Sequence, residues 1–361
     1  MQRRSFLKNT AAVAGAGTLA APALAQAPGT VTWRMASSFP KTLDAIYGSA
    51  EQFIKRISQL TGGKFVIRQY AAGEVVPGLQ VMDAVQAGTV EMGHTPAYYY
   101  FGKDPAFAFD CAVPFGLTSR QQTAWMEAGG GRELLREFYK GYGIRNFMGG
   151  NTGTQMGGWY RKEIRTVADM KGLKMRVAGF AGRVMERMGV VPQQIPASDV
   201  YSALEKGSID AAEWVGPYDD EKLGLAKVAP HYYYPGWWEA GPQLSFYVGI
   251  AAWEKLPKEF QAALEVASYE CHVAMQADYD AKNPAALGRL IKNGAKLHAF
   301  SQEIMDAAYK HSMAVMEEES AKNAKFRKIY EPWRKFRNDQ NQWASVAEAT
   351  MQTYLIAATR R

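Results

Sequence analysis

Cysteine is scarce in this chain: Cys111 and Cys271 are the only two among 361 residues. Two thiols build no disulfide framework, and the expectation is a pair of buried thiols rather than a bridge. Long apolar runs are also missing. Beyond residue 27 no stretch approaches the 18 apolar residues that mark a bilayer-spanning helix, so a soluble mature chain is expected. The 42 Lys and Arg against 35 Asp and Glu leave a formal charge of +7. The basic residues form no block, so nucleic acid is not an expected partner. The five histidines (His94, His231, His272, His298 and His311) have no metal-ligand spacing. G-x-S-x-G, H-E-x-x-H, C-x-x-C and P-loop motifs are absent. An enzyme therefore lacks its parts, and Asp219-Asp220 reads as a solvated turn.

What is present begins with an address. Arg3-Arg4-Ser5-Phe6-Leu7-Lys8 precedes a weakly apolar run, Ala11 to Ala21, and then Ala23-Leu24-Ala25. A basic start, a short apolar segment and an A-x-A site are the parts of a cleaved export signal. The twin arginine resembles a Tat signal. Residues 1–27 are thus expected to be removed, and a periplasmic chain starts near Gln26 or Ala27. That removes three basic residues and no acid, leaving +4. With 47% hydrophobic and 21% charged residues, the remainder is globular and long enough for two domains.

One phrase occurs twice. Residues 81–95 (VMDAVQAGTVEMGHT) and 200–214 (VYSALEKGSIDAAEW) share their apolar, Ala and Gly positions at an offset of 119. Each reads as the last turns of a helix, a Gly at C′, then a short buried strand. Two copies so far apart predict two similar α/β lobes, with ligands bound at the carboxyl ends of their strands. In the first lobe, strands are expected at 31–36, 64–70 and 90–93, with helices at 46–60 and 79–87 between them. The second lobe predicts strands at 174–177, 190–195 and 209–212 around helices at 182–188 and 200–206. Arg176 and Glu213 then fall at strand ends facing one crevice. Later segments read as helices from 254 to 291, with a break or kink at Pro284, from 301 to about 322, and from 323 to 361, interrupted at Pro332. A short strand covers 296–300.

The run Asp169 to Val177, then Gly189-Val-Val-Pro192, then Tyr201 to Asp210 resembles the signature of the DctP-type substrate-binding subunits of TRAP transporters. The resemblance extends from about Val31 to about Glu319. Gly153 to Tyr160, Ala212-Glu213-Trp214-Val-Gly-Pro217 and Gly236-Trp237-Trp238-Glu239 are similar to the branch that binds 2-oxo acids. It implies an α/β, two-lobed periplasmic binding protein fold with a hinge and central cleft, plus a long C-terminal helix. The implied function is capture of a small 2-oxo monocarboxylate, pyruvate-like, with a cation, for delivery to a membrane permease. On this reading residues 28–150 plus about 242–282 form lobe I. Residues 151–241 plus about 283–330 form lobe II, and 331–361 a C-terminal dimerisation helix.

Arg176 is the expected anchor, because its planar fork matches a carboxylate and stays charged. The family places its carboxylate-binding Arg at this motif position. Gln155, Glu213 and the backbone of Trp214 offer hard oxygens that suit Na⁺, Ca²⁺ or Mg²⁺. The resemblance implies Na⁺ held by these three. Two alternatives stay open: Glu213 as the salt-bridge partner of Arg176, and Ca²⁺ with lactate or another 2-hydroxy acid. Tyr98, Glu239 and, at the domain crossing, Asn151 are further candidates for ligand contact. The aromatic tail from Tyr330 to Leu355 either packs back on the body or docks on a second subunit, giving a homodimer. A periplasmic enzyme on the same architecture is the remaining competitor.

Overall fold

The computed structural model describes residues 29–359; the expected signal, 1–27, lies outside the described residues. Its strands are β1 Val31–Ser37, β2 Phe65–Tyr70, β3 Met92–Thr95, β4 Ile144–Asn151, β5 Trp159–Tyr160, β6 Lys174–Arg176, β7 Val191–Gln193, β8 Ala211–Ala212, β9 His231–Tyr234, β10 Gln243–Gly249 and β11 Lys296–Ala299. They form two sheets, ordered β2-β1-β3-β10-β4 and β11-β9-β5-β8-β6-β7. Each therefore contains one copy of a parallel three-strand unit, β2-β1-β3 in the first and β7-β6-β8 in the second.

The repeat explains this likeness in register. Ala36 of β1 pairs with Gly93, and Arg176 of β6 pairs with Ala212. Gly93 and Ala212 lie at the same step of the two copies, so Arg176 stands where lobe I has Ala36. Local chemistry builds each unit. In the helix Ile46–Leu60, Ile46, Ala50, Phe53 and Ile57 share one buried face. Gly88 and Gly207 both adopt positive φ, +69° and +71°, where each copy turns from helix towards strand. L side chains seldom adopt that conformation, so glycine ends both helices.

The chain passes between the sheets from β4 to β5, and back from β9 to β10. At the first crossing the β4–β10 ladder slips at Leu244/Ser245, and Gly150 has φ +130°. Extra backbone at that point bends the strand. The helix Lys258–Lys292 supplies a third connection. It packs on the helix Ile46–Leu60, on β4 and on the helix Pro217–Leu223.

Three expectations need correction. The helix Lys258–Lys292 runs through Pro284 without a break. The helix Ala324–Val346 likewise runs through Pro332, and the interruption falls instead at Ala347 (φ −116°, ψ −104°). Proline costs one backbone hydrogen bond, but Phe326, Ile329, Tyr330 and Trp333 are buried around it and hold the helix in place. Asp219 and Asp220 are not solvated. Both are buried in the first turn of Pro217–Leu223. Asp219 accepts from the Tyr279 hydroxyl (2.7 Å), and Asp220 from Trp159 Nε1 (2.9 Å) and the Tyr232 hydroxyl (2.7 Å). Those donors come from distant strands and helices, which local sequence does not reveal.

Cys111 and Cys271 are free and buried, as expected. The C-terminal segment divides. Trp333 is 1% exposed and packs on Phe109, whereas Trp343, Met351, Tyr354 and Leu355 are all more than half exposed. No described helix is long and apolar enough to cross a membrane.

Candidate functional site

The last residue of β6, Arg176, lies between the lobes and is 1% exposed. Its Nε donates to the Ile195 carbonyl (3.2 Å) and its Nη1 to the Glu213 carbonyl (2.6 Å). Nη1 also pairs with the Glu213 carboxylate. The salt-bridge alternative for Glu213 is thus realised in this structure. Among the described residues the hydrogen bonds to the guanidinium fall on Nε and Nη1, which leaves Nη2 for another acceptor. The indole of Trp214 lies under the guanidinium, 4.8 Å from its centre. Burial alone would lower the Arg176 pKa; Glu213, with Tyr99, Tyr98 and Glu239, together outweighs it, and the net shift is upward.

Glu213 follows β8 directly and is fully buried. Burial pushes its carboxyl up to about 7, although Arg176 opposes the shift. Segments 155–158 and 236–239 close around it. Met156 N–H donates to the Val215 carbonyl (3.0 Å), and Gln155 N–H to the Glu239 carbonyl (3.0 Å). The Gln155 side chain donates through Nε2 to Thr152 (3.1 Å). Glu239 is buried; burial and then the charge of Glu213 raise its pKa well above the carboxylate range. Lobe I contributes Tyr98 and Tyr99. The Tyr98 hydroxyl opposes the Glu239 shift as a donor, and burial pushes Tyr99 up to about 12.

Several of these groups lack partners. Gln155 Oε1, Glu213 Oε2 and Glu239 Oε2 are buried with no hydrogen bond among the described residues. An unmade hydrogen bond in the interior costs about 1–3 kcal/mol. A hard cation satisfies such oxygens, so the Gln155 and Glu213 side chains with the Trp214 carbonyl fit one. No group of three His, Cys, Asp or Glu able to hold a metal occurs among the described residues. A cation here would have one carboxylate, Glu213, and would rely otherwise on amide and carbonyl oxygens and on the ligand itself.

Arg176, Glu213, Trp214, Gln155, Tyr98 and Glu239 therefore come together. Asn151 does not join them. It is buried at the end of β4, donates to the Gly241 carbonyl (3.0 Å) and accepts from Gly153 N–H (2.9 Å). These bonds commit its amide to the crossing turn. Sequence reasoning missed Tyr99, whose ring is coupled electrostatically to Arg176, and the Ile195 carbonyl. Tyr99 was visible only as one of four consecutive aromatics, and a carbonyl carries no sequence signal.

The lobes meet over this site. Gln194 Nε2 of lobe II donates to the Tyr99 carbonyl of lobe I (3.1 Å). Gly179 lies so close to Tyr98 that a Cβ there would come within 2.7 Å of that side chain.

Comparison with known proteins agrees with this architecture. The model of bacterial extracellular solute-binding protein family 7 (DctP) matches residues 36–323. A Nostoc protein, the monocarboxylate 2-oxoacid-binding periplasmic protein, is 50% identical over 98% of this chain and 99% of its own length. A TRAP transporter solute-binding protein from Bordetella bronchiseptica superposes with a TM-score of 0.91 at 54% identity, covering 92% of this chain and 99% of that one. That structure is a mixed-occupancy dimer with calcium and picolinate in one active site. A TRAP periplasmic solute-binding protein from Pseudoalteromonas atlantica, with bound sodium and pyruvate, has a TM-score of 0.87 at 38% identity, covering 90% and 98%. Family and fold agree: the chain belongs to the DctP family, the extracytoplasmic substrate-binding subunits of TRAP transporters, which are receptors rather than enzymes.

Proposed function

We propose that the chain captures a small 2-oxo monocarboxylate, pyruvate-like, together with a cation, and delivers it to the membrane subunits of a TRAP transporter. The observation that carries this reading is the buried Arg176, with Nη2 uncommitted and two unpartnered oxygens, Gln155 Oε1 and Glu213 Oε2, on neighbouring segments. The names of the Nostoc and Pseudoalteromonas relatives support the same ligand class.

On this reading the ligand carboxylate takes Nη2 and competes with Glu213 for Nη1. Glu213 then turns its carboxylate to the cation, beside Gln155 Oε1 and the Trp214 carbonyl. A bound cation supplies positive charge to the carboxylate and 2-oxo oxygens. Tyr98 and Tyr99 close from lobe I and exclude water, which strengthens each charged contact. Glu239 contributes a further polar contact beside Tyr98. Micromolar affinity corresponds to about −8 kcal/mol, within reach for so small a ligand only through charge-assisted anchors.

Na⁺ is the first choice of cation, and Ca²⁺ with a 2-hydroxy acid such as lactate is the second reading; the Bordetella relative supports Ca²⁺, which it holds with picolinate, but not the 2-hydroxy acid. The remaining elements of the proposal are Tat export with cleavage near residue 27, lobes divided as 28–150 plus about 242–282 and 151–241 plus about 283–330, and a homodimer formed through the C-terminal helix.

Calorimetry tests the ligand reading. Pyruvate and lactate are titrated into chelator-treated protein in Na⁺ and then in Ca²⁺ buffer. Saturable heat with pyruvate in Na⁺ is expected. Absence of heat with pyruvate in both buffers rejects it, and lactate binding only with Ca²⁺ selects the second reading.

A further inference from the structure

The cleft carries a polar contact that ligand recognition does not use. Asp44 lies in the loop between β1 and the helix Ile46–Leu60, on lobe I, with its side chain half exposed. Three side chains of another part of the molecule converge on it. The Tyr218 hydroxyl donates to its Oδ2 (2.9 Å), Lys222 Nζ pairs with its Oδ1, and Lys282 Nζ stands 4.0 Å from its Oδ2. Tyr218 and Lys222 belong to the helix Pro217–Leu223 of lobe II, and Lys282 to the helix Lys258–Lys292, at the point where the two lobes divide it. The two ammonium groups flank the Tyr218 ring, at 4.2 and 4.7 Å from its centre.

The group is built rather than incidental. Tyr218 N–H donates to Asn283 Oδ1 (3.0 Å), which fixes the helix Pro217–Leu223 to the long helix. The same helix starts three residues after Trp214, and Asp220 in its first turn accepts from Val215 N–H (3.3 Å). Any movement of Glu213 and Trp214 is therefore carried directly into the element that bears Tyr218 and Lys222. Leu43, next to Asp44, is fully buried in a cluster with Trp159, Trp214 and Val215 of lobe II.

We infer that Asp44, Tyr218, Lys222 and Lys282 form a latch across the cleft, and that Asp44 is a positioning residue that sets how long ligand is retained. It is not among the residues proposed to contact ligand. The latch forms only when the lobes are together, so losing it speeds opening and leaves encounter with ligand unchanged. The kinetic form of the claim rests on the proposed 2-oxo acid reading; the conformational form does not.

The test uses the full chain, with rapid-mixing tryptophan fluorescence, pyruvate as ligand and Na⁺ held constant while choline chloride raises ionic strength. Asp44→Ala is expected to raise the dissociation rate about twofold to fivefold, with the association rate essentially unchanged. The wild-type dissociation rate climbs with choline chloride, and that of the variant does not. Reversing the pair, Asp44→Lys with Lys222→Asp, restores slow release relative to Asp44→Lys alone. An unchanged dissociation rate in Asp44→Ala, or a reversed pair no better than the single change, overturns the latch. If wild-type protein does not bind pyruvate, the ligand reading fails by itself. Spin labels on Lys55→Cys and Lys206→Cys then report lobe separation without ligand. A longer distance on adding Asp44→Ala upholds the latch, and an unchanged distribution rejects it.

Discussion

Arg176 and Ala36 occupy the same register of two copies of one β-α-β unit, and this substitution of cation for methyl makes the cleft asymmetric. The next matched positions are Glu213 and His94, both buried. Lobe II thus supplies the charges, and lobe I supplies neutral and aromatic groups. Replacing Arg176 by Lys keeps the charge and loses the fork. Each charge-assisted hydrogen bond lost costs about 1.5–3 kcal/mol, so Arg176→Lys is expected to weaken pyruvate binding by at least about tenfold in calorimetry. His94 makes a different prediction. Burial holds His94 and His272 down at about 4, against an ordinary 6.5. Their folded-state pKa values are depressed, so stability is present above pH 6.5 and is lost as pH falls towards 4. Each contributes about 3 kcal/mol over that window. His94→Gln retains a donor for the Gly149 carbonyl, which His94 Nε2 contacts at 2.9 Å. Its urea unfolding midpoint should fall less steeply below pH 6.5 than that of wild type. An unchanged slope would show that His94 is charged when folded.

At the scale of elements, the C-terminal helices separate packing from association. Trp333 is buried against Phe109 and Tyr330, while Trp343 is 56% exposed. Trp333→Ala is expected to cost about 3–5 kcal/mol of stability. Trp343→Ala should change monomer stability by under about 0.5 kcal/mol. Removing residues 340–361 spares Trp333 and strips the exposed aromatics. Light scattering should find that protein monomeric while calorimetry finds ligand binding intact; a truncated dimer would reject the arm as the interface. Much of this level was legible in advance. The β-α-β-α-β unit of each lobe followed from periodicity and from glycines such as Gly88 and Gly207, whereas β4, β5, β9 and β10 were not foreseen. Pro332 misled because a local rule predicts a break, and four buried side chains around it outweigh one lost hydrogen bond. Asp219-Asp220 misled for a related reason, since the donors that justify their burial, Tyr279, Trp159 and Tyr232, belong to other elements, two of them about 60 residues away.

For the whole molecule, two lobes, two strand crossings and one long helix converge on a buried site. Ligand and cation bind only the folded state, so both should raise thermal stability. At a hundredfold excess over Kd the gain is about 2.7 kcal/mol. Pyruvate in Na⁺ buffer is expected to raise the melting temperature, and pyruvate in choline buffer with chelator to raise it much less. An equal shift in both buffers would remove the cation from the site. Periodicity and the repeated phrase determined that there are two α/β lobes, because a buried face must recur with the period of its backbone. The same pattern located Arg176 and Glu213 at strand ends, since a strand only a few residues long leaves little choice. Tertiary structure alone decided that the Asn151 amide, at the end of β4, bonds to the Gly241 carbonyl, that Glu213 already holds Arg176, and that Asp44 meets Tyr218 across the cleft. Those outcomes depend on hydrogen-bond partners tens to hundreds of residues apart, and sequence order does not encode which distant atoms come within 3 Å.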